Sequence, residues 1–171
     1  APVCKVEGNE LSTYDNETIP MKMHECYHLL SSDCGRRNLD WSVLLAKSKS
    51  VSGYKNVKLF VKNVPVFLIP ESREKIVVKV HEQELPLRRG ESHQIYENGR
   101  NSGRVLATVY KANDETITFK STWINVVFNG DLVEVLPSMS YKSKLCGLCG
   151  NYNGDKSDEL LSPRMCLLSK P

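Results

Sequence analysis

Apolar residues in this chain gather in short runs rich in Val, Ile, Thr, Phe and Tyr, and turn residues punctuate them. "WSVLLAKS", "NVKLFVKN", "VPVFLI", "KIVVKVHE", "RVLATVYK", "TITFKS" and "INVVFNGDLVEVL" are the clearest runs. This composition and spacing predict β-strands. Turns are supplied by "NG" at 98–99, "AND" at 112–114 and "NGD" at 129–131. The last predicts a tight hairpin, because Asn129-Gly130 suits the positive φ angles of such a turn. Helix signals are few, and none alternates with the strands as a parallel sheet would require. The prediction is a mainly β fold, an antiparallel β-sandwich of short strands with few short helices. No repeat, low-complexity stretch or linker divides the chain, so residues 1–171 read as a single domain.

One stretch competes with that picture. "HECYH", His24 to His28, is how zinc metalloproteases write their active-site helix. On a helix, residues four apart lie about 6 Å from each other and can share a metal. On a strand they are about 13 Å apart. The run "MKMHECYHLLSSDC" reads at least as well as a strand, and Cys26 inside the motif suits a disulfide. His81 and His93 sit in strand-like, polar surroundings and make poor third ligands. Neither a zinc site nor a protease is expected.

Composition narrows the class further. Hydrophobic content of 40% and charged content of 25% are ordinary for a soluble globular chain. No apolar run reaches the roughly 20 residues of a membrane-spanning helix. A net charge of +3 is too mild to argue for nucleic acid, and no aromatic residues interleave with the basic ones. The start "APVCKVEGNE" does not read as a signal peptide, which suggests a mature form, a fragment or an expressed module. Lys58 and Lys62 would share one strand face, and Arg88-Arg89 begins a turn. A receptor, heparin or an anionic lipid could use such a surface, although most such charges are solvated faces that keep sheet edges apart. Trp41, Trp123 and Phe128 are expected in the core. With no nucleophile–base pair, phosphate-binding glycine loop or metal triad, the chain is not expected to be an enzyme.

Six cysteines stand at Cys4, Cys26, Cys34, Cys146, Cys149 and Cys166, three near each end. An even count fits full pairing in an oxidising, secreted environment. The sequon "NET" at Asn16 fits the same compartment and marks a candidate glycosylation site. The densest chemistry is "KLCGLCGNYNGDKSDEL", from Lys144 to Leu160. A bare C-x-x-C has three readings: a redox pair, half a zinc site, or two structural half-cystines. The redox reading wants a helix start in a βαβ unit, which is not found. Flanking glycines suit a tight turn threaded between disulfides. After it come Asn151, Asn153, Asp155, Asp158 and Glu159, with Gly150 and Gly154 letting the chain curl. Carboxylates and amide carbonyls so gathered suit a hard cation such as calcium. The spacing is not that of an EF-hand, since Ser162 stands where the closing glutamate belongs. A solvated acidic turn is the plainer alternative.

"CGLCGNYNGD" resembles the signature of the von Willebrand factor type D module. "LSTYDNETIP" followed by "ECYHLLSSDC" is similar to the opening of such modules, and "KIVVKVHEQELPL" and "INVVFNGDLVEVL" resemble their middle strands. The likeness covers about residues 3–166. It implies the pairs Cys4–Cys149, Cys34–Cys146 and Cys26–Cys166, tying the amino-terminal segment to the carboxy-terminal one. It also implies a calcium site in which Asp15, from the aromatic-Asp turn, joins Asn151, Asn153, Asp158 and Glu159, with Asp155 giving a backbone carbonyl. Many members carry Asp where Asn153 stands, and losing that charge should weaken binding.

Within the family, "YDNETIPMKMHECYHLLSSDC" looks most like the D module near the carboxy end of vitellogenins and related large lipid-transfer proteins. The resemblance implies a secreted, non-catalytic, calcium-stabilised module, monomeric alone. Its expected partners are the other domains of a larger lipid-transfer parent and a cell-surface receptor. The rival is an assembly or adhesion module of a gel-forming or clotting-type protein, in which C-x-x-C takes part in disulfide exchange.

Overall fold

The structure, a computed structural model, describes residues 2–35, 39–99 and 101–151. Numbered along the chain, the first three strands are β1 (Cys4–Glu7), β2 (Glu10–Ser12) and β3 (Thr18–Pro20). Six more follow: β4 (His28–Asp33), β5 (Trp41–Lys47), β6 (Lys55–Val61), β7 (Val64–Ser72), β8 (Lys75–Val80) and β9 (Gln83–Leu85). Then come β10 (Ser92–Tyr96), β11 (Val105–Asn113), β12 (Thr116–Lys120), β13 (Ile124–Phe128) and β14 (Val133–Pro137). A 3-10 turn at Met139–Tyr141 leads to β15 (Leu145–Cys146). Among the described residues the strands form two antiparallel sheets, ordered β10-β11-β12-β13-β14-β1-β2-β3 and β15-β4-β5-β6-β7-β8-β9. The expected mainly β, antiparallel architecture is the one found.

The period-two alternation of the runs places the core. In β5, Val43 and Leu45 are fully buried and face Leu59 and Val57 of β6 across the ladder. Val66 and Leu68 of β7 continue that layer, and Val109, Phe119, Val126 and Val135 of the other sheet meet it in one core cluster. Trp41 and Phe128 lie in this core, while Trp123 packs against it only partly buried. The first and last strands among the described residues enter opposite sheets. β1 pairs with β14 in one, and β15 pairs with β4 in the other.

Three local expectations change. "HECYH" is not a strand: β4 begins only at His28, and Glu25 and Cys26 lie in a bend. The connection after β13 is not a two-residue turn either. It runs through residues 129–132, with Gly130 at φ 102° and Asn129 outside the positive region. Asn129 instead accepts from the backbone N–H of Leu132 at 2.7 Å and of Asp131 at 3.1 Å through its side-chain oxygen, a local side-chain bond that replaces the tighter turn. Gly130 is required by packing as well, since a Cβ there would run into the Tyr54 ring. Finally, Lys58 and Lys62 do not form a free basic face. Lys58 is 7% exposed, and Lys62 pairs with the buried carboxylate of Asp40.

Candidate functional site

The C-x-x-C segment forms a turn laid against β4. Cys149 donates its backbone N–H to Leu30 O at 2.9 Å, and Leu148 donates to Leu29 O at 3.3 Å. Gly147 makes the approach feasible. Its φ is 111°, and a Cβ there would meet Leu30 O at 2.7 Å and Ser31 N at 3.0 Å. Each cysteine then pairs with a distant one. Cys4 joins Cys149 with a Cα–Cα distance of 5.7 Å, and Cys34 joins Cys146 at 5.9 Å. Cys26 is disulfide-bonded too, but Cys166 lies outside the described residues. The segment is neither at a helix start nor paired within itself, the two features a redox C-x-x-C needs.

The Cys149 turn lies beside the segment that carries Asp15, one of the candidate calcium ligands. Tyr14, next to Asp15, donates its backbone N–H to Cys149 O at 3.1 Å. Its ring is buried, and its hydroxyl lies 2.7 Å from Ser31 Oγ of β4. Burial drives the Tyr14 hydroxyl well above the ordinary tyrosine range, so the group stays neutral. The Tyr14–Asp15 turn is thereby pinned beside the exit of the C-x-x-C turn. Half-buried Asp15 and Asn151 leave from its two strands of chain, and Asn151 Oδ1 is withdrawn from solvent. Asp15 has carboxylate oxygens and Asn151 an amide oxygen, the donor type a calcium ion takes. Asn153, Asp155, Asp158 and Glu159 lie outside the described residues. Among the described residues, no three acidic, histidine or cysteine side chains cluster as a metal set. The fit therefore rests on Asp15 and Asn151 as one corner of an all-oxygen set.

Asn16 is exposed and has φ 64°. It sits in a turn, in which its backbone N–H donates to Thr13 O at 3.0 Å. At the other end of the motif question, His24 and His28 have ring centroids only 4.3 Å apart. The bend at residues 25–26 achieves what a helix would, and the expected strand separation of this pair is overturned. Among the described residues His28 Nε2 is buried without a hydrogen-bond partner. Burial, and then the charge of His24, lower the His28 pKa. His81 and His93 line a different place, a cleft of about 490 Å³ between β9 and β10.

Polar groups that the chain's pattern did not reveal hold the sheets together. Lys55 is 1% exposed and donates to Asp131 Oδ1 at 2.8 Å and Asp131 O at 2.7 Å. Buried Asp40 accepts from the Tyr141 hydroxyl at 2.8 Å, while Tyr141 meets Trp41 edge-on at 5.7 Å. The only sequence signal for either was a charged residue at the boundary of an apolar run.

Two antiparallel sheets, closed by disulfides that join the segments near the two ends, define a disulfide-stapled, mainly β module. The model of the von Willebrand factor type D domain matches residues 4–165, and the chain belongs to that family. Among curated proteins it is similar to Vitellogenin-6 of Oscheius tipulae, 27% identical over 158 residues, 92% of this chain and 9% of that protein. It is likewise similar to Vitellogenin-3 of Caenorhabditis elegans, 29% identical over 160 residues, 93% of this chain and 9% of that protein. Vitellogenin-6 of Caenorhabditis elegans is 24% identical over 158 residues, again covering 9% of its length. The chain thus spans about a tenth of the relatives it matches. No helix among the described residues is long and apolar enough to cross a membrane.

Proposed function

We propose that the chain is the non-catalytic, calcium-stabilised D module of a secreted, vitellogenin-like lipid-transport or storage protein. One observation carries the reading: the likeness to vitellogenins runs over 92% of this chain but only 9% of the relative, as expected of one module in a large parent. Residues 1–171 act in it as a single domain whose partners are the parent's other domains and, at the cell surface, a receptor. The lipid cavity belongs to the rest of the parent, and exposed Asn16 carries a glycan. Calcium is held by Asp15, Asn151, Asn153, Asp158 and Glu159, with the carbonyl of Asp155. When bound it supplies charge neutralisation, no reaction. The Cys4–Cys149 bond and the Tyr14–Cys149 backbone bond hold the two ligand-bearing segments in register.

The experiment is thermal unfolding of the metal-stripped chain with and without calcium, beside lipid extraction of the purified chain. A calcium-dependent rise that Asp158→Ala abolishes, with no bulk lipid recovered, supports the reading. Recovered triglyceride or phospholipid would contradict the assignment of the lipid cavity elsewhere. A chain that dimerises through new intermolecular disulfides would turn the reading toward an assembly module instead.

A further inference from the structure

"HECYH" plays no part in the calcium site, yet the fold changes what this segment can do. An extended backbone would hold its two histidines about 13 Å apart, too far to share an ion. The bend at residues 25–26 instead brings the His24 and His28 ring centroids to 4.3 Å, tilted by 47° and so not stacked face to face. Both residues are fixed from the same neighbouring strand. His28 opens β4 opposite Leu45 of β5. The His24 carbonyl accepts the backbone N–H of Lys47, two residues further along β5, at 2.7 Å. Disulfide-bonded Cys26 lies in the bend between them.

The state of the rings suits a metal. Among the described residues Nε2 of His28 is buried without a hydrogen-bond partner. Buried polar atoms are normally satisfied, so this nitrogen keeps open bonding capacity. Burial and then the charge of His24 lower the His28 pKa, which favours the neutral imidazole that a metal binds. His24 is exposed and supplies the accessible partner.

The spacing selects the ion. An imidazole nitrogen at roughly 2.0–2.1 Å from a metal puts its ring centroid about 3.2 Å from it. Two such rings lie about 5.2 Å apart at the tetrahedral angle of zinc, and about 4.5 Å apart at the right angle of tetragonal copper(II). The 4.3 Å found here fits the second. Copper(II) also stands highest in affinity among first-row dications at nitrogen sites. We propose that His24 and His28 form a two-imidazole binding site for copper(II), separate from the calcium ligands. Among the described residues no third acidic, histidine or cysteine side chain completes a cluster, so water takes the other positions around the ion.

Copper(II) titration of the whole, metal-stripped chain in excess calcium, read by electron paramagnetic resonance, tests this. About one equivalent should bind with a tetragonal spectrum split by two nitrogens, and zinc should bind roughly ten-fold or more weakly. His24→Ala and His28→Ala should each weaken copper about ten-fold or more and leave coupling to a single nitrogen. His24 is exposed, so its variant should keep the thermal unfolding midpoint and the calcium response of the unaltered chain. His81→Gln/His93→Gln, in the cleft between β9 and β10, should leave copper affinity and spectrum unchanged. Copper bound equally well by His24→Ala and His28→Ala would overturn the proposal. So would loss of the signal in His81→Gln/His93→Gln, tighter binding of zinc than of copper, or no binding at all.

Discussion

The ammonium of Lys55 lies 2.8 Å from Asp131 Oδ1 and joins the two sheets. Lys55 opens β6 in one sheet, and Asp131 lies in the loop between β13 and β14 of the other. The same carboxylate oxygen accepts the backbone N–H of Gly8 at 3.0 Å, between β1 and β2. One carboxylate thus gathers three segments, and the lysine it holds is almost wholly removed from water. Asp131→Ala should cost about 2–3 kcal/mol in denaturant unfolding, below the roughly 3–5 kcal/mol of a fully buried broken pair because Asp131 is 38% exposed. Lys55→Met should cost less, since it leaves a partly solvated carboxylate instead of a buried ammonium.

The same pair predicts an acid limb in stability. Burial alone would raise the Asp131 pKa, but the hydrogen bonds from Lys55 and Gly8 and the charge of Lys55 outweigh it and hold the group below its ordinary value. The unfolded chain therefore binds this proton more readily, and the stabilisation is fully present above the ordinary aspartate range. It is lost as pH falls through the lowered folded-state value. Asp131→Asn should flatten that part of an unfolding-versus-pH curve; an unchanged slope would deny the coupling.

His28 predicts a second limb nearer neutrality. Its folded-state pKa is lowered by burial and by His24, so the unfolded chain takes up the proton first as pH falls. Stability from the neutral ring is complete above the ordinary histidine value and declines as pH drops through it toward the lowered one. His28→Gln should remove this decline, and His24→Gln should reduce it. Proton titration of the His28 ring signals by NMR checks that its value is lowered.

Calcium at one hundred times its dissociation constant should add about 2.7 kcal/mol to unfolding. Asp15→Asn and Asp158→Ala should each shrink that increment without altering the metal-free midpoint by more than a degree or two. Cys4→Ala/Cys149→Ala should lower the metal-free stability by about 2–5 kcal/mol and abolish most of the calcium response, because the two ligand segments lose their clamp. Scanning calorimetry with and without chelator separates the two effects.

Gly147→Ala tests the seat of the C-x-x-C turn. A methyl there meets the Leu30 carbonyl at 2.7 Å, in a left-handed backbone region that L-residues avoid. The substitution should cost more than about 1 kcal/mol, with a fall in the yield of correctly paired protein on refolding.

Most strands were legible because each carries enough alternating apolar residues to declare a face. Val43 and Leu45, or Val126 and Phe128, could hardly point elsewhere than inward. The strands poor in apolar residues were not. "ELS", "TIP" and "SHQIY" hold too few apolar positions for a period to show, and they are strands because a neighbour pairs with them. "HECYH" was misread as extended for a related reason: its path is set by the Cys26 bond and the backbone bond from Lys47 to His24 O, neither of which a local pattern carries.

Residue type and order alone determined the strand-rich class, the places where the chain turns, and the concentration of cysteine and oxygen ligands near the chain ends. These are local properties, expressed in hydrophobic period, backbone permission and side-chain chemistry. Tertiary structure alone decided which sheet the first and last described strands join, that Tyr14 docks on Cys149, that Lys55 finds Asp131 and that two histidine rings meet across a bend. Each of these joins residues distant in sequence or turns on how a segment packs. Its energy depends on burial and distance, which come into existence only when the two sheets close on one another.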